Sequence, residues 1–397
     1  MPNLSKEKRI YMDNAAGKPV DSQAVEAMLP YMKSSYGNPS SLHLFGQEAK
    51  RALEEARMKV AELIGAEKKD SVIFTSGATE SNNLAIKGTA YRNKDRGTRI
   101  LTSSVEHMSV VNPCKYLGTK GFETVFLSVD KYGFVDLESL EKELNDKTVL
   151  VTIVYANSEI GTIEPVKEIS KRVHSKGAIL HVDATAACGQ IPISVKEEGI
   201  DLLTISSNDI YGPKGVGALY VGEGIRLEPL VHGGGQERGL RSGTENLPGI
   251  VGFGKAAEIA KRELPSESKR LTKLRDRFIG GLLKPIPYSF LNGHPTLRLP
   301  DNVSVRYSFI EGESMLLSLG MMGVYASSGS ACTAKTLEPS HVLLAIGLKH
   351  EEAHGSLMFT LGRQTTEENV DYAISLMPSI VKRLREISPL TPKELLK

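Results

Sequence analysis

The chain alternates short apolar runs with amphipathic stretches. Apolar runs at 72–75, 99–103, 123–127, 148–154, 178–182, 200–206 and 216–221 read as buried strands. Helical spacing falls between or after them, at 80–91, 108–117, 166–175 and 245–262. Upstream, residues 24–32 carry the same spacing, and 47–64 set charges against Ala, Leu and Val as an amphipathic helix would. Such alternation predicts an α/β fold with a mainly parallel, seven-stranded sheet covered on both faces. Beyond residue 263 the charge density rises through Lys269, Arg270, Lys273, Arg275 and Arg277, which predicts a helix entering a second lobe. That smaller α+β lobe is expected to hold strands near 302–308 and 356–361 and a closing helix at 366–387. The expected division is 16–262 as the large domain, and 1–15 with 263–397 as the small one.

Composition narrows the function classes. At 397 residues with 40% apolar side chains, the chain can bury one large core and a smaller second one. A net charge of +2, with Lys and Arg dispersed, gives no electrostatic reason to expect nucleic acid. The polar start, Met1 to Arg9, does not read as a signal peptide, and no apolar run reaches membrane-spanning length. A cytoplasmic protein is expected. Cys114, Cys188 and Cys332 show no metal-ligand or redox spacing, and their odd number argues against a disulfide framework.

Three stretches carry candidate chemistry. In Phe74-Thr75-Ser76-Gly77-Ala78-Thr79-Glu80 a strand meets a small-residue turn and then a helix, so free N–H groups and the helix dipole converge as an anion site. Asp183 ends a buried strand, where α/β sheets place ligands. Ser327-Ser328-Gly329-Ser330-Ala331-Cys332-Thr333 surrounds a cysteine with small residues, the composition of an exposed loop and a reactive thiol. By contrast, Cys114 and Cys188 sit in apolar contexts and read as buried filler.

The middle of the chain, Ser206-Ser207-Asn208-Asp209-Ile210-Tyr211-Gly212-Pro213-Lys214-Gly215, resembles the cofactor loop of the cysteine desulfurases. These are homodimeric enzymes of pyridoxal phosphate (PLP) fold-type I, of the aminotransferase class V kind. The resemblance runs from about Tyr11 to Pro389 with the motifs in the family's order. It implies that Gly77, Ala78, Thr79, Ser206 and Asn208 hold the phosphate, with Thr244 reaching across from the other subunit. It further implies that Asp183 pairs with the pyridine nitrogen and that His107 stacks on the ring. Ser158 and Ala186 stand at ring-contact positions, while Asn157 and Arg363 match substrate contacts. Cys332 matches the cysteine that takes sulfur from L-cysteine as a persulfide, in the long-loop group that feeds a U-type iron–sulfur scaffold protein.

The departures from the family pattern converge on the cofactor pocket. Asp209 stands where the family has the lysine that bonds PLP, and a carboxylate has no nucleophilic nitrogen. Asn208 replaces a histidine, Ala186 a glutamine and Ser158 an asparagine. Lys214 is a poor substitute, because the family carries it beside its own Schiff-base lysine. Two readings follow. In the first, the dimer docks the scaffold protein and lends it Cys332, as sulfur carrier or as ligand of a shared 2Fe–2S cluster, without efficient desulfurase turnover. In the second, it is an active desulfurase that converts L-cysteine to alanine on non-covalently bound PLP, with Asp209 as proton carrier.

Overall fold

The main sheet has seven strands in the order Val72–Thr75, Gly217–Val221, Leu202–Ser206, Ile179–Asp183, Thr148–Val154, Arg99–Ser103, Glu123–Leu127. The structure, a computed structural model, describes residues 9–328 and 339–396. Neighbouring strands run parallel from Leu202–Ser206 to Glu123–Leu127, whereas Gly217–Val221 is antiparallel to both its neighbours. The central strands are buried along their whole length, Thr148–Val154 at all seven positions, which explains their unbroken apolar runs. Helices Leu44–Leu63, Ala78–Arg92, Met108–Gly118 and Val166–Ser175 cover the faces. A buried ion pair pins the edge strand: Arg57 grips Glu237 at 2.7 and 2.8 Å, and Glu237 accepts from the Phe74 amide.

A second core gathers around a three-stranded antiparallel sheet, with Asn302–Tyr307 between Ser289–Leu291 and Ser356–Thr360. Ile10 and Met12 join this core. The closing helix Glu367–Ile387 starts on a capping box of Thr366 and Asn369.

Near residue 263 the chain passes from one core to the other inside a single helix. That helix, Leu247–Leu283, has 37 residues with Pro265 inside. Its first half buries Phe253, Ala257 and Ala260 in the main core, and its second half buries Leu271, Leu274 and Phe278 in the other. The two apolar stripes continue one helical path, and this outweighs the one backbone bond that Pro265 removes. The helix Gly312–Met321 escaped the sequence pattern because Leu317 and Met321 are exposed while Met315 and Leu319 are buried, so no clean apolar face exists.

Candidate active site

A cavity of about 280 Å³ opens at the C-terminal ends of the parallel strands, with walls from both cores. Ala78, His107, Asn157, Ser158, Asp183, Ala186, Asn208 and Asp209 line it, so eight of the residues singled out from sequence meet in one place. Gly77 and Thr79 flank Ala78, and Ser206 lies behind the wall, hydrogen-bonded to the Asp209 side chain. Thr244 is exposed and Arg363 half-buried, and neither lines the cavity. Cys332 lies outside the described residues, but Ser327 and Ser340, on either side of its segment, both line the cavity.

Asp183 ends its strand at 4% exposure with a full set of donors. Asn82 Nδ2 donates to one carboxylate oxygen at 2.7 Å, and the Thr185 amide and hydroxyl donate to the other at 3.0 and 2.5 Å. Asn82 Nδ2 also donates to Ser109 Oγ, which in turn lies 2.8 Å from His107 Nδ1. The Ser109 amide donates to the same nitrogen, so the imidazole caps the helix Met108–Gly118 in a fixed orientation. One asparagine thus couples the carboxylate to the histidine. Neither Asn82 nor Ser109 was legible from sequence: Asn82 is one of several polar residues in its helix, and only the fold buries it.

The helix Ala78–Arg92 begins without a capping side chain, at Gly77 with φ 150°. Its first amides are therefore open to an anion. A side chain at Gly217 would lie 2.7 Å from Gly77, so that glycine lets the strand pass close beneath the turn. Glu80 is turned away, accepting from the Ser76 amide and from Arg241. Burial works against its ionisation, yet those bonds win and hold it below the usual range. On the facing loop, Ser207 Oγ and Asn208 Oδ1 are buried and lack partners. An uncapped helix start, the unsatisfied Asn208 side chain on the cavity wall and a carboxylate at the opposite side fit PLP, whose phosphate and pyridine nitrogen need those two ends.

The Asp209 side of the cavity is less settled. Burial raises the Asp209 carboxyl to about 6, against the opposing pull of Lys18 and Ser206. Lys18 is buried and lines the cavity, with its Nζ donating to the Asp209 main-chain oxygen at 2.8 Å. Asp301 is buried beside them and accepts from Gln190, while Asp13 leaves Oδ1 unpaired. Asn157 spends its amide on its own turn, donating to Val105 and accepting from Glu159 and Ile160. Arg363 is engaged elsewhere: it pairs with Asp21 at 2.8 Å and Glu263 at 3.2 Å and stacks over the Tyr211 ring.

Two buried carboxyls, Glu106 and Glu159, also line the cavity, each raised to about 8 by burial. Glu106 accepts from Ser103 and the Val154 amide, and its main-chain oxygen lies 2.9 Å from His341 Nε2. Glu159 accepts from Ser340 at 2.7 Å. Both therefore fasten the chain that follows the Cys332 segment to the cavity wall. Cys114 and Cys188 are buried, and burial pushes both thiols up to about 12, which leaves them inert.

Residues 10–373 match the Aminotransferase class-V family. The chain is 60% identical over 380 residues to "Cysteine desulfurase IscS 1" of Archaeoglobus fulgidus, covering 96% of this chain and 99% of the relative. It is 52% identical over 393 residues to "Cysteine desulfurase IscS" of Methanosarcina thermophila, at 99% and 97% coverage. Among solved structures, a NifS-like protein superposes with a TM-score of 0.88 at 39% identity, covering 95% of this chain and 100% of that one. No helix among the described residues is long and apolar enough to cross a membrane.

Proposed function

The chain belongs to the aminotransferase class-V family and, within it, to the cysteine desulfurases; on that footing we propose that it serves iron–sulfur assembly as a PLP-binding homodimer with little desulfurase turnover. It docks a U-type scaffold protein and presents Cys332 to it, as sulfur carrier or as one thiolate of a shared 2Fe–2S cluster. One observation carries this reading. The cavity keeps the Asp183–Asn82–Ser109–His107 array, while the loop opposite offers a carboxyl at Asp209.

When bound, the cofactor supplies an electron sink for the substrate amino acid. Asp183 would hold the ring nitrogen, His107 would cover the ring face, and the amides of Ala78 and Thr79 would receive the phosphate with Asn208. Asp209 forms no bond to the cofactor, so the loop retains it by contacts alone. Asp209 sits near its own midpoint at neutral pH and can exchange protons, but it cannot displace product from the cofactor as an amine does. Among the described residues no cluster of His, Cys, Asp or Glu can hold a metal ion, so the cluster reading requires ligands from the scaffold.

The test is alanine release from cysteine by the purified protein with added PLP and a thiol reductant, beside Asp209→Lys. An inert native protein and an active variant support the proposal. Many turnovers per site by the native protein would establish the active-desulfurase reading instead. Full cluster assembly on the scaffold by Cys332→Ala would refute the role given to that thiol.

A further inference from the structure

Lys18 has no part in the reading above, yet it is the cavity's only lysine among the described residues. It is 6% exposed, an unusual state for a lysine. Its stem comes from the loop after the strand Ile10–Tyr11, so it enters from the wall facing the Ser206–Tyr211 loop. The Asp209 and Asp301 carboxyls both feel its charge, but no carboxylate oxygen among the described residues lies within 4.0 Å of Nζ. The one recorded bond is to the Asp209 carbonyl. A lysine buried only to balance charge would close an ion pair; this one has one main-chain acceptor and lies 5.2 Å over the Tyr211 ring, on a flexible four-carbon stem.

We propose that Lys18 replaces the loop lysine of the family, its ε-amine bonding the aldehyde carbon of PLP from the opposite wall. The step balances without any oxidant or reductant. The ammonium gives one proton to the Asp209 carboxylate through one intervening water, since the two groups lie beyond direct reach; the neutral amine then adds to the aldehyde carbon, a carbon–nitrogen double bond forms, and the aldehyde oxygen leaves as water. Asp209 suits the role of acceptor, because burial has raised its carboxyl to about 6 and made it a stronger base than an exposed aspartate. An amine and a carboxyl thus occupy this site with their chain positions altered: the amine arrives on the N-terminal loop, the carboxyl on the sheet loop. The inference rests on the reading that the cavity binds PLP and is independent of whether cysteine is turned over.

The test is chemical trapping in the full-length protein. The protein is loaded with PLP and passed through a desalting column, and retained cofactor is measured by its visible absorbance. Borohydride reduction, digestion and peptide mass spectrometry then locate any pyridoxyl group. The expected result is a label on the Lys18 peptide, lost in Lys18→Ala and also in Lys18→Arg, which keeps the charge but forms no such bond. Thermal melts of both variants identify any loss of fold, and the arginine variant guards against it. Retained PLP with no label, or with label on Lys214, overturns this inference and leaves the proposed function standing. Loss of PLP on the column overturns this inference alone; no PLP binding in an absorbance titration without desalting overturns the proposed function as well.

Discussion

The two ends of the cavity are built on different principles. At the Asp183 end the carboxylate is met by three donors, and a side-chain relay fixes the imidazole of His107. At the Asp209 end Ser207, Asn208 and Asp13 each leave a buried polar atom unpaired, and a carboxyl and an amine lie close without closing an ion pair. The first is pre-organised for one geometry, and each member is locked by the next. The second closes no such relay. Unmade bonds occur at both ends, Asn82 Oδ1 and Glu106 Oε2 being unpaired at the first, so the difference lies in the relay and not in the count of satisfied atoms.

The largest effect that separates the ends is expected from Asp183→Asn. Removing one partner of a buried charge pair costs about 2 kcal/mol or more, so PLP affinity should fall about 30-fold or more. A spectroscopic titration measures it; an unchanged affinity would mean that the cofactor does not use this end.

Next comes pH. Glu106, at the Asp183 end, stays protonated when folded up to about pH 8, while its unfolded form ionises near 4.5. The unfolded chain therefore binds fewer protons across that window, and Glu106 makes stability fall as pH rises from about 4.5 to 8. Asp209 has the same sign over a narrower window, from 3.8 to about 6. Denaturant midpoints against pH should flatten over the wide window in Glu106→Gln and only over the acidic part in Asp209→Asn. Identical profiles for the two variants would erase the distinction between the ends.

A smaller effect is expected from Asn82→Ala, which deprives Asp183 and Ser109 of one donor each. A loss of about 1–3 kcal/mol in stability follows from the bonds left unmade. PLP affinity should weaken, by less than in Asp183→Asn. Denaturation and titration of the same samples give both numbers; an unaffected pair would show that the relay is ornamental to the site.

Much of the fold was legible because its central strands are buried on both faces and therefore spell themselves as apolar runs, Val149 to Val154 most clearly, whereas the edge strand Glu123–Leu127 is buried at Leu127 alone. Asp183, His107 and Asp209 were legible only through short motifs read by resemblance, since no periodicity distinguishes them. Lys18 was missed for a physical reason. In sequence it is one polar residue in a short loop beside Pro19, and only folding brings it within 2.8 Å of residue 209. Asn82 was missed likewise, because a helix hides which of its polar residues faces inward. From sequence the helix 245–262 reads as ending where the charge density rises after residue 263, because the packing that continues it is unseen there.

That helix has a mechanical consequence. At about 1.5 Å per residue it is roughly 55 Å of rigid rod shared by both cores, so neither core has a hinge of its own at this junction. Heat should therefore melt them in one calorimetric transition, and two separated peaks would contradict this. Its midpoint also carries Glu263, which holds Arg363 against Tyr211, two residues from Asp209. The shared rod is thus tied through Arg363 to the loop that faces Lys18.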